Sequence, residues 1–282
     1  MNKLPQQTCK ICGKPSKFVN IEGNILSKCF NCKYLWLDNP TFDPAKYEQG
    51  YFPETNENSC ISKQSEQFYK STFERINIAS NSNINILDVG CGTGGWLMYL
   101  LKKGLKGSGV EISQYYCGEA RKKGLVVINK PIEEAGLNSD EYDLVTLAHV
   151  LEHVHKLTLV FTEIKRIIKA GGILYIEVPN EITAWIFILR RVLNKIGFSF
   201  KTSINYSITQ SGHTNFFTPK SLRLLLEKMG WEIAKLGSYD VVIKSNIFIK
   251  VLLFIPGLLF TRILNKGEYI YCIAKKSENP LK

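Results

Sequence analysis

The sequence predicts an α/β fold with a doubly wound parallel sheet, and two observations lead to this prediction. The first is composition: the 282-residue chain is 45% hydrophobic and 22% charged. These values are those of ordinary globular proteins and exclude wholesale disorder and a polytopic membrane protein. The second is the order along the chain, since short apolar runs alternate with helical patterns from Ile84 onward. Strands that alternate with helices form parallel sheets covered by helices on both faces.

The individual elements follow from the local patterns. Strands are expected at the apolar runs 84–89, 107–111, 125–128, 142–147, 172–178, 231–236 and 269–274. Helices are expected where apolar residues recur with helical spacing, at 95–103, 114–123, 157–169 and 219–229. We expect three parts: a small metal-binding segment at 1–40, a connecting region and cap at 41–82, and one domain at 83–282 with apolar, basic insertions at 184–200 and 245–264.

Four of the eight cysteines form two C-x-x-C pairs, Cys9 with Cys12 and Cys29 with Cys32, with 16 residues between the pairs. Four thiolates at this spacing are typical of a tetrahedral structural zinc site, whereas a redox pair is not expected with two such units. A segment of this size buries little core, so we expect zinc to supply its folding energy. The first residues lack the apolar run of a signal peptide, and we expect a reducing, cytoplasmic compartment.

A glycine-rich turn follows the first strand of the large domain, in the sequence ILDVGCGTGG at 86–95. Such a turn lets backbone N–H groups approach a ligand at the start of a helix. Glu111 ends the next predicted strand, 21 residues after Gly90. A carboxylate there can accept hydrogen bonds from both ribose hydroxyls. The glycines also match the dinucleotide fingerprint G-x-G-x-x-G, but Asp88 just before them suits a cationic ligand and conflicts with a pyrophosphate.

These motifs resemble those of the class I S-adenosylmethionine-dependent methyltransferases. LDVGCGTG is similar to their first motif, GVEIS to the acidic second-strand motif, YDLVTLAHVLEHV to the fourth-strand motif and RIIKAGGILYIEVPN to the fifth-strand region. GHTNFFTPKSLRLLLEKMGWEI is similar to a segment of one branch, whose members often carry an N-terminal zinc ribbon and are associated with modifying sugars and surface polysaccharides. The resemblance covers about residues 84–236 and the last strand. It implies a Rossmann-like sheet of seven strands, the last one antiparallel.

The resemblance also implies S-adenosylmethionine as the cofactor and indicates the residues that would bind it. Gly90, Gly92 and Gly94 would surround the amino-acid portion of the cofactor. Asp88 would bind at the turn, and Glu111 would hold the ribose. The family often has an aspartate near adenine, shortly after the third strand. Here that stretch lacks one, and Ile132 and Glu133 are the expected adenine neighbours.

Three of the four histidines follow the fourth predicted strand, at His149, His153 and His155, with Glu152 among them. We expect a helix that begins here and places His149, Glu152 and His153 on one face, at the strand ends where ligands bind. Methyl transfer to a hydroxyl requires that the acceptor lose a proton; His153 is the expected base, and Glu152 would orient it or act itself. His213, in a loop expected over the site, is a candidate acceptor contact.

Two alternatives for this group of side chains stay open. His149, Glu152 and His153 could bind a divalent metal, because they are similar to the E-x-x-E-H arrangement of ubiquinone-pathway O-methyltransferases, with histidine in place of the first glutamate. The group could also have a purely structural role in capping and packing.

The net charge of +11 is concentrated in the C-terminal third, where residues 182–282 hold 15 Lys and Arg against 5 Asp and Glu. Basic residues lie beside bulky aliphatic ones in 184–200 and 247–264, which suits an anionic membrane surface. Packing of the two stretches on each other is the alternative. Neither stretch has the roughly 18 apolar residues without charges that a transmembrane helix needs.

We therefore expect an enzyme that methylates a hydroxyl or carbon of a sugar, a nucleotide sugar or a lipid-linked glycan. The expected partners are a small-molecule or glycan acceptor and, under the membrane interpretation, the inner face of an anionic membrane. An RNA methyltransferase is the alternative, with the ribbon and the basic third contacting phosphates. Nucleic acid is not the favoured partner, because the basic residues lie among aliphatic side chains and no Asn-Pro-Pro-Tyr-like motif follows the fourth strand. A non-catalytic binding module is a third hypothesis, against which the intact glycine turn and Glu111 argue.

Overall fold

The computed structural model of the chain divides into two compact units. The residues it describes are 7–38, 63–195, 197, 204–209, 211–240, 261 and 263–276. The ribbon unit comprises Met1–Pro40, Leu151–His155 and Glu177–Cys272. The core unit comprises Thr41–Val150, Lys156–Ile176 and Ile273–Lys282. The cysteine-containing segment thus belongs to the same compact unit as much of the C-terminal third.

Helices and strands follow one another through the described residues as the alternating pattern predicts. In chain order they are β1 (Gln7–Thr8), β2 (Pro15–Ile21), β3 (Asn24–Cys29), β4 (Leu35–Trp36), α1 (Lys63–Ile76), β5 (Ile86–Val89), α2 (Gly95–Lys102), β6 (Gly107–Val110), α3 (Gln114–Lys122), β7 (Val126–Ile128), β8 (Tyr142–Ala148), α4 (Leu157–Ile167), β9 (Ile168–Pro179), α5 (Trp185–Lys195), α6 (Ile204–Thr209), β10 (Asn215–Phe216), α7 (Pro219–Lys228), β11 (Trp231–Tyr239) and β12 (Tyr269–Lys276). A short 3₁₀ helix, Ile132–Glu134, follows β7. The predicted strands of the large domain, and its helices predicted at 95–103, 114–123, 157–169 and 219–229, are confirmed within a few residues.

The larger sheet has seven strands in the order β11-β12-β9-β8-β5-β6-β7. Its central strands are parallel: β5 pairs with β6 and with β8, and β6 pairs with β7. The register places Asp88 of β5 between Gly109 of β6 and Thr146 of β8. All four residues of β5 are buried, which is typical of a strand covered on both faces. The seven-stranded sheet implied by the family resemblance is confirmed.

One predicted helix is wrong. The sequence predicted that a helix begins at His149, but β8 ends at Ala148, residues 151–153 form a turn and α4 begins only at Leu157. His149 has a φ angle of 58°, in the left-handed region, so the chain changes direction there and does not continue into a helix. His149 therefore shares no helix face with Glu152 and His153.

The smaller sheet lies in the ribbon unit and has the order β1-β2-β3-β4-β10. Four of its strands come from the N-terminal segment, but the fifth, β10, lies some 180 residues later in the chain and pairs antiparallel with β4. Leu26 and Leu35 of the ribbon pack in one buried cluster with Ile204 and Phe216. The N-terminal segment 7–38, called the ribbon below, thus takes one strand of its sheet and part of its core from residues that are remote in the sequence.

The start of α7 also supports the ribbon. Thr218 caps this helix in a reciprocal capping box with Ser221, and Pro219 occupies the first helical turn. The Thr218 hydroxyl donates as well to the carbonyl of Cys32, 2.9 Å away. The Lys220 ammonium donates to the carbonyl of Asn31. The second cysteine pair is therefore held by the first turn of α7.

The two insertions differ in how far the structure describes them. Helix α5 occupies much of the first, whereas most of the second, 245–264, lies outside the described residues. Among the helices that are described, none is both long enough and apolar enough to cross a membrane. Residues 41–62 of the expected connecting region and cap also lie outside the described residues.

Candidate functional site

The glycine turn of the core unit has a backbone that only glycine adopts readily. Gly90, Gly92 and Gly94 have φ angles of 70°, 53° and 78°, all in the left-handed region. A β-carbon on Gly90 would lie 2.6 Å from a methyl of Val150, and one on Gly94 would lie 2.1 Å from Leu125. A β-carbon on Gly92 would meet nothing within 4 Å. Two glycines are thus required by packing, while Gly92 leaves open space in front of the turn.

Glu111, directly after β6, is held against this turn by two backbone hydrogen bonds. Its carboxylate accepts from the N–H of Gly92 at 2.8 Å and from the N–H of Ser113 at 2.9 Å. The side chain is 7% exposed, so both oxygens are fixed while each keeps a lone pair for a further donor. This is the geometry expected of a residue that accepts hydrogen bonds from two neighbouring hydroxyls.

Asp88 lies at the end of β5 and is almost fully buried. Burial raises the pKa of its carboxyl to about 7; the hydrogen bond from Thr146 lowers the pKa and the negative charge of Glu111 raises it. Near neutral pH this carboxyl is therefore poised between its two protonation states. A cationic group bound at the turn would favour the carboxylate.

Helix α1 places aromatic side chains beside the turn, which the sequence motifs did not predict. A β-carbon on Gly95 would lie 2.2 Å from the hydroxyl of Tyr69, so this phenol contacts the first residue of α2. Burial, and secondarily the charge of Asp88, raises the pKa of Tyr69 to about 12, which keeps the phenol protonated. The ring of the preceding residue, Phe68, lies 6.3 Å from that of His149. In the sequence, Tyr69 is one of several tyrosines in the segment before the first predicted strand of the large domain, and no motif singles it out.

The residues expected near adenine lie in the same unit. Ile132 is buried and begins the 3₁₀ helix after β7, and Glu133 next to it is exposed. Asn129 donates through its side-chain amide to the carbonyls of Glu111 and Ile112, both at 2.9 Å. This link fixes the segment after β7 to the end of β6. The adenine contacts themselves stay a prediction.

The ribbon unit contains a second group of candidate site residues, formed by Glu152, His153 and His213. One ligand atom from each of the three lies within 4.8 Å of the others. The imidazole rings of His153 and His213 are 5.0 Å apart and nearly perpendicular. Nδ1 of His213 lies 3.1 Å from the carboxylate of Glu181. The structure brings His213, which was expected only as an acceptor contact, to Glu152 and His153, whereas His149 belongs to the core unit and His155 is exposed.

The turn that carries Glu152 and His153 is held by a short segment that precedes α7. The backbone N–H groups of Thr214 and Asn215 both donate to the carbonyl of Glu152, at 2.8 and 3.0 Å. The Asn215 amide donates to the carbonyls of Leu151 and Val154. The side-chain oxygen of Asn215 accepts from the hydroxyl of Tyr34 in the N-terminal segment. Sequence analysis gave no role to Tyr34, Asn215 or Glu181: Tyr34 and Glu181 lie outside the quoted motifs, and the motif that contains Asn215 does not reveal its distant partners.

The four N-terminal cysteines converge in the ribbon unit. Sγ of Cys9 lies 3.6 Å from Sγ of Cys32, and Sγ of Cys12 lies 3.5 Å from Sγ of Cys29. With zinc–sulfur bonds of about 2.3 Å, tetrahedral geometry requires sulfur atoms about 3.8 Å apart. The two pairs end in the same kind of turn. The N–H of Gly13 donates to the carbonyl of Cys9, and the N–H of Lys33 donates to the carbonyl of Cys29. Gly13 and Lys33 have φ angles of 67° and 65°. The donor set fits a tetrahedral ion that prefers thiolates.

Comparison with known proteins identifies the class to which this fold and glycine turn belong. A family model described as a methyltransferase domain matches residues 61–236, more than half of the chain. The chain therefore belongs to the methyltransferase-domain family. A solved S-adenosylmethionine-dependent methyltransferase from Archaeoglobus fulgidus has the same fold, with a TM-score of 0.55 at 23% identity, over 75% of this chain and 95% of that one.

Two curated proteins are also similar to this chain, and both are named as methyltransferases. A ubiquinone biosynthesis O-methyltransferase of Methylococcus capsulatus is 33% identical over 102 residues, which are 34% of this chain and 43% of that protein. A demethylmenaquinone methyltransferase of Staphylococcus saprophyticus is 24% identical over 201 residues, 64% of this chain and 84% of that protein. The chain thus spans less than half the length of the more identical of these two relatives.

We predict that Glu111→Ala weakens binding of S-adenosylhomocysteine by tenfold or more. The substitution removes two charge-assisted acceptors, and each such hydrogen bond contributes about 1.5–3 kcal/mol. Isothermal titration calorimetry measures the change. Glu119→Ala on α3 is the matched control, because this glutamate pairs only with Lys122 at the surface among the contacts recorded for it. Equal affinity in wild type and Glu111→Ala would exclude this carboxylate from the cofactor site.

We further predict that affinity for S-adenosylhomocysteine rises between about pH 6 and pH 8. Asp88, with a pKa raised to about 7, is largely protonated at the lower pH and must lose its proton before it can pair with the ligand's ammonium group. Asp88→Asn should bind more weakly at the higher pH and lose most of this pH dependence. Calorimetric titrations across the range test both statements, and a wild-type affinity independent of pH would contradict them.

Proposed function

We propose that the protein transfers a methyl group from S-adenosylmethionine to an acceptor. The observation that carries this proposal is the glycine turn with Glu111 held against it, in a chain that belongs to the methyltransferase-domain family. Glu111 would accept from the ribose hydroxyls, the turn would accommodate the amino-acid portion, and Asp88 would favour its ammonium group. The sulfonium of the bound cofactor supplies the methyl group. The residues of this chain bind and orient it.

The acceptor class that we propose is a hydroxyl or carbon of a sugar, a nucleotide sugar or a lipid-linked glycan. Support comes from the segment at 212–233 and the N-terminal cysteines, which together resemble the sugar-modifying branch. A quinol hydroxyl is the second candidate, because the curated relatives are named for ubiquinone biosynthesis and for demethylmenaquinone. Those relatives do not favour the alternative of RNA methylation.

We propose that Glu152, His153 and His213 activate the acceptor, with His153 as the residue in contact with it. An imidazole near its neutral form can remove the hydroxyl proton, and the buried carboxylate of Glu152 can orient or assist it. His153 is oriented by its Nδ1, which lies 3.3 Å from the carbonyl of Gly212. His213 is oriented by Glu181 in the same way.

The test is complementation of cells that lack the protein. Their envelope glycans or their quinones should contain a component that lacks one methyl group, detected by mass spectrometry. Wild type and the control His155→Ala should restore the methyl group. His153→Ala should reduce methylation by about 100-fold or more, as removal of a proton acceptor does, while binding S-adenosylhomocysteine normally. Full restoration by His153→Ala would exclude the role proposed for this residue.

We propose that the four N-terminal cysteines bind one structural zinc ion. Two sulfur–sulfur distances near the tetrahedral value and the grouping of all four sulfur atoms within 4.8 Å support it, as does the burial of Cys9, Cys29 and Cys32. The hydrogen bond between the two thiols lowers the pKa of Cys9 and raises that of Cys32, so one of the two carries the negative charge more readily. Zinc would then stabilise the short strands that precede and follow the cysteines.

Cys29→Ser should release this zinc and loosen the ribbon without abolishing cofactor binding. Metal analysis with a thiol-specific reagent should find one thiolate-bound zinc in wild type and none in the variant. Cys117→Ser, which changes a buried cysteine of the core unit, should retain the metal. A ribbon that is folded and free of metal in the purified wild type would assign the cysteines another role.

We also propose peripheral contact with an anionic membrane through α5. This helix exposes Ile188, Leu189 and Val192. It also lies in the C-terminal third of the chain, where basic residues are in excess. Bulky apolar side chains among basic ones suit the headgroup region, where each basic residue contributes about 1 kcal/mol.

Sedimentation with vesicles tests the membrane proposal. Binding should increase with the content of anionic lipid and decrease with salt. A double variant with Ile188→Ser and Val192→Ser should bind less, and Leu159→Ser, an equally exposed leucine on α4, should bind as wild type does. No binding to acidic vesicles at low salt would leave packing as the explanation of the apolar stretch.

A further inference from the structure

The Glu152–His153–His213 group has the arrangement of a metal-binding donor set as well as that of an acid–base group. Two imidazole nitrogens and one carboxylate oxygen lie within 4.8 Å of one another, and they come from two segments about 60 residues apart in the chain. Glu152 is 1% exposed, and both histidines are partly buried. Such a set, with positions left for further ligands, suits a divalent transition metal.

Both imidazoles are oriented in the way that metal-binding histidines usually are. Nδ1 of His153 faces the carbonyl of Gly212 at 3.3 Å, and Nδ1 of His213 faces the carboxylate of Glu181 at 3.1 Å. When Nδ1 carries the proton toward such an acceptor, Nε2 keeps its lone pair for a metal. A carboxylate behind a ligating histidine also raises the basicity of the ring.

The surroundings of the group are strongly acidic. Glu152, Glu177 and Glu181 are all buried in the ribbon unit. Burial, followed by the charges of Glu268, Glu177, Glu152 and Glu181, raises the pKa of Tyr269 to about 12, so all four carboxylates lie within electrostatic range of one phenol. A cation bound at this group would be stabilised by these nearby charges.

We propose that Glu152, His153 and His213 bind one divalent metal ion, with Glu181 positioning His213. This set differs from the one that the sequence suggested, because His149 is replaced by His213. With the ion bound, Nε2 of His153 is a ligand and not the base, and the cation would instead activate the acceptor by lowering the pKa of a hydroxyl bound to it. That use of the ion rests on the proposed function, whereas the binding of the ion does not.

The experiment is a titration of the 282-residue chain, purified with its cysteine site loaded with zinc, with Mn²⁺ and followed by electron paramagnetic resonance. Mn²⁺ prefers oxygen and nitrogen ligands and does not compete for four thiolates, so the ribbon does not contribute. Wild type should bind one Mn²⁺ per chain. His213→Ala should lose this binding, and Glu181→Gln should weaken it by about 10- to 100-fold, as loss of a supporting carboxylate does.

Two controls keep the result interpretable. His155→Ala changes an exposed histidine two residues after His153 and should bind Mn²⁺ as wild type does. Binding of S-adenosylhomocysteine shows whether each variant is folded, and His213→Gln provides a substitution closer in size in case His213→Ala unfolds. Absence of Mn²⁺ binding in wild type, or binding by both His213 variants equal to that of wild type, would overturn the proposal.

The outcome separates this inference from the proposed function. Methylation that continues in the presence of a chelator, in a wild type that binds no Mn²⁺, would refute the metal site and leave methyl transfer intact. Mn²⁺ binding that depends on His213, in a protein without methyltransferase activity, would confirm the metal site and refute the function. Loss of methylation with the chelator and its recovery with Mn²⁺ would support both.

Discussion

The ribbon unit depends on the hydrogen bonds of one buried side chain, Asn215. Its amide nitrogen donates to the carbonyls of Leu151 and Val154, and its oxygen accepts from the hydroxyl of Tyr34. Three stretches that are far apart in the sequence thereby meet at one residue. An aliphatic side chain of similar size would leave two carbonyls and a phenol without these partners in a buried place, at a cost of about 1–3 kcal/mol for each group. Few substitutions can therefore keep the turn that carries Glu152 and His153 in its present form.

The N-terminal cysteines acquire a wider role from this arrangement. The second cysteine pair is bonded to the start of α7 through Thr218, and the strand after it, β4, pairs with β10 at Asn215. A metal that orders the cysteines would consequently order the segment that holds the turn. The ribbon is an integral support of its unit, because a segment of this length could not bury enough apolar surface to fold alone. Its sheet, its core and its hydrogen bonds are all completed by the C-terminal third.

The two candidate sites achieve preorganisation by different means. In the core unit, left-handed glycines and the doubly bonded carboxylate of Glu111 shape the glycine turn, and these constraints are local to β5, β6 and the loop between β5 and α2. In the ribbon unit, the histidines are oriented by acceptors from other segments: Gly212 for His153 and Glu181 for His213. The first arrangement uses neighbouring residues, whereas the second exists only when distant residues are brought together.

This difference explains what the sequence determined and what only the tertiary structure decided. The alternation of strands and helices, the glycine turn, Asp88, Glu111 and the cysteine spacing were all readable, because each is encoded in a short window with its own periodicity or turn chemistry. The helix predicted at His149 was wrong, since spacing alone does not reveal a left-handed residue that redirects the chain. Glu181 and Asn215 could not be found, and His213 could not be linked to a specific partner, because their roles come from contacts across 30 to 180 residues of chain. Tertiary packing, which no local pattern records, decided which histidine joins Glu152 and His153.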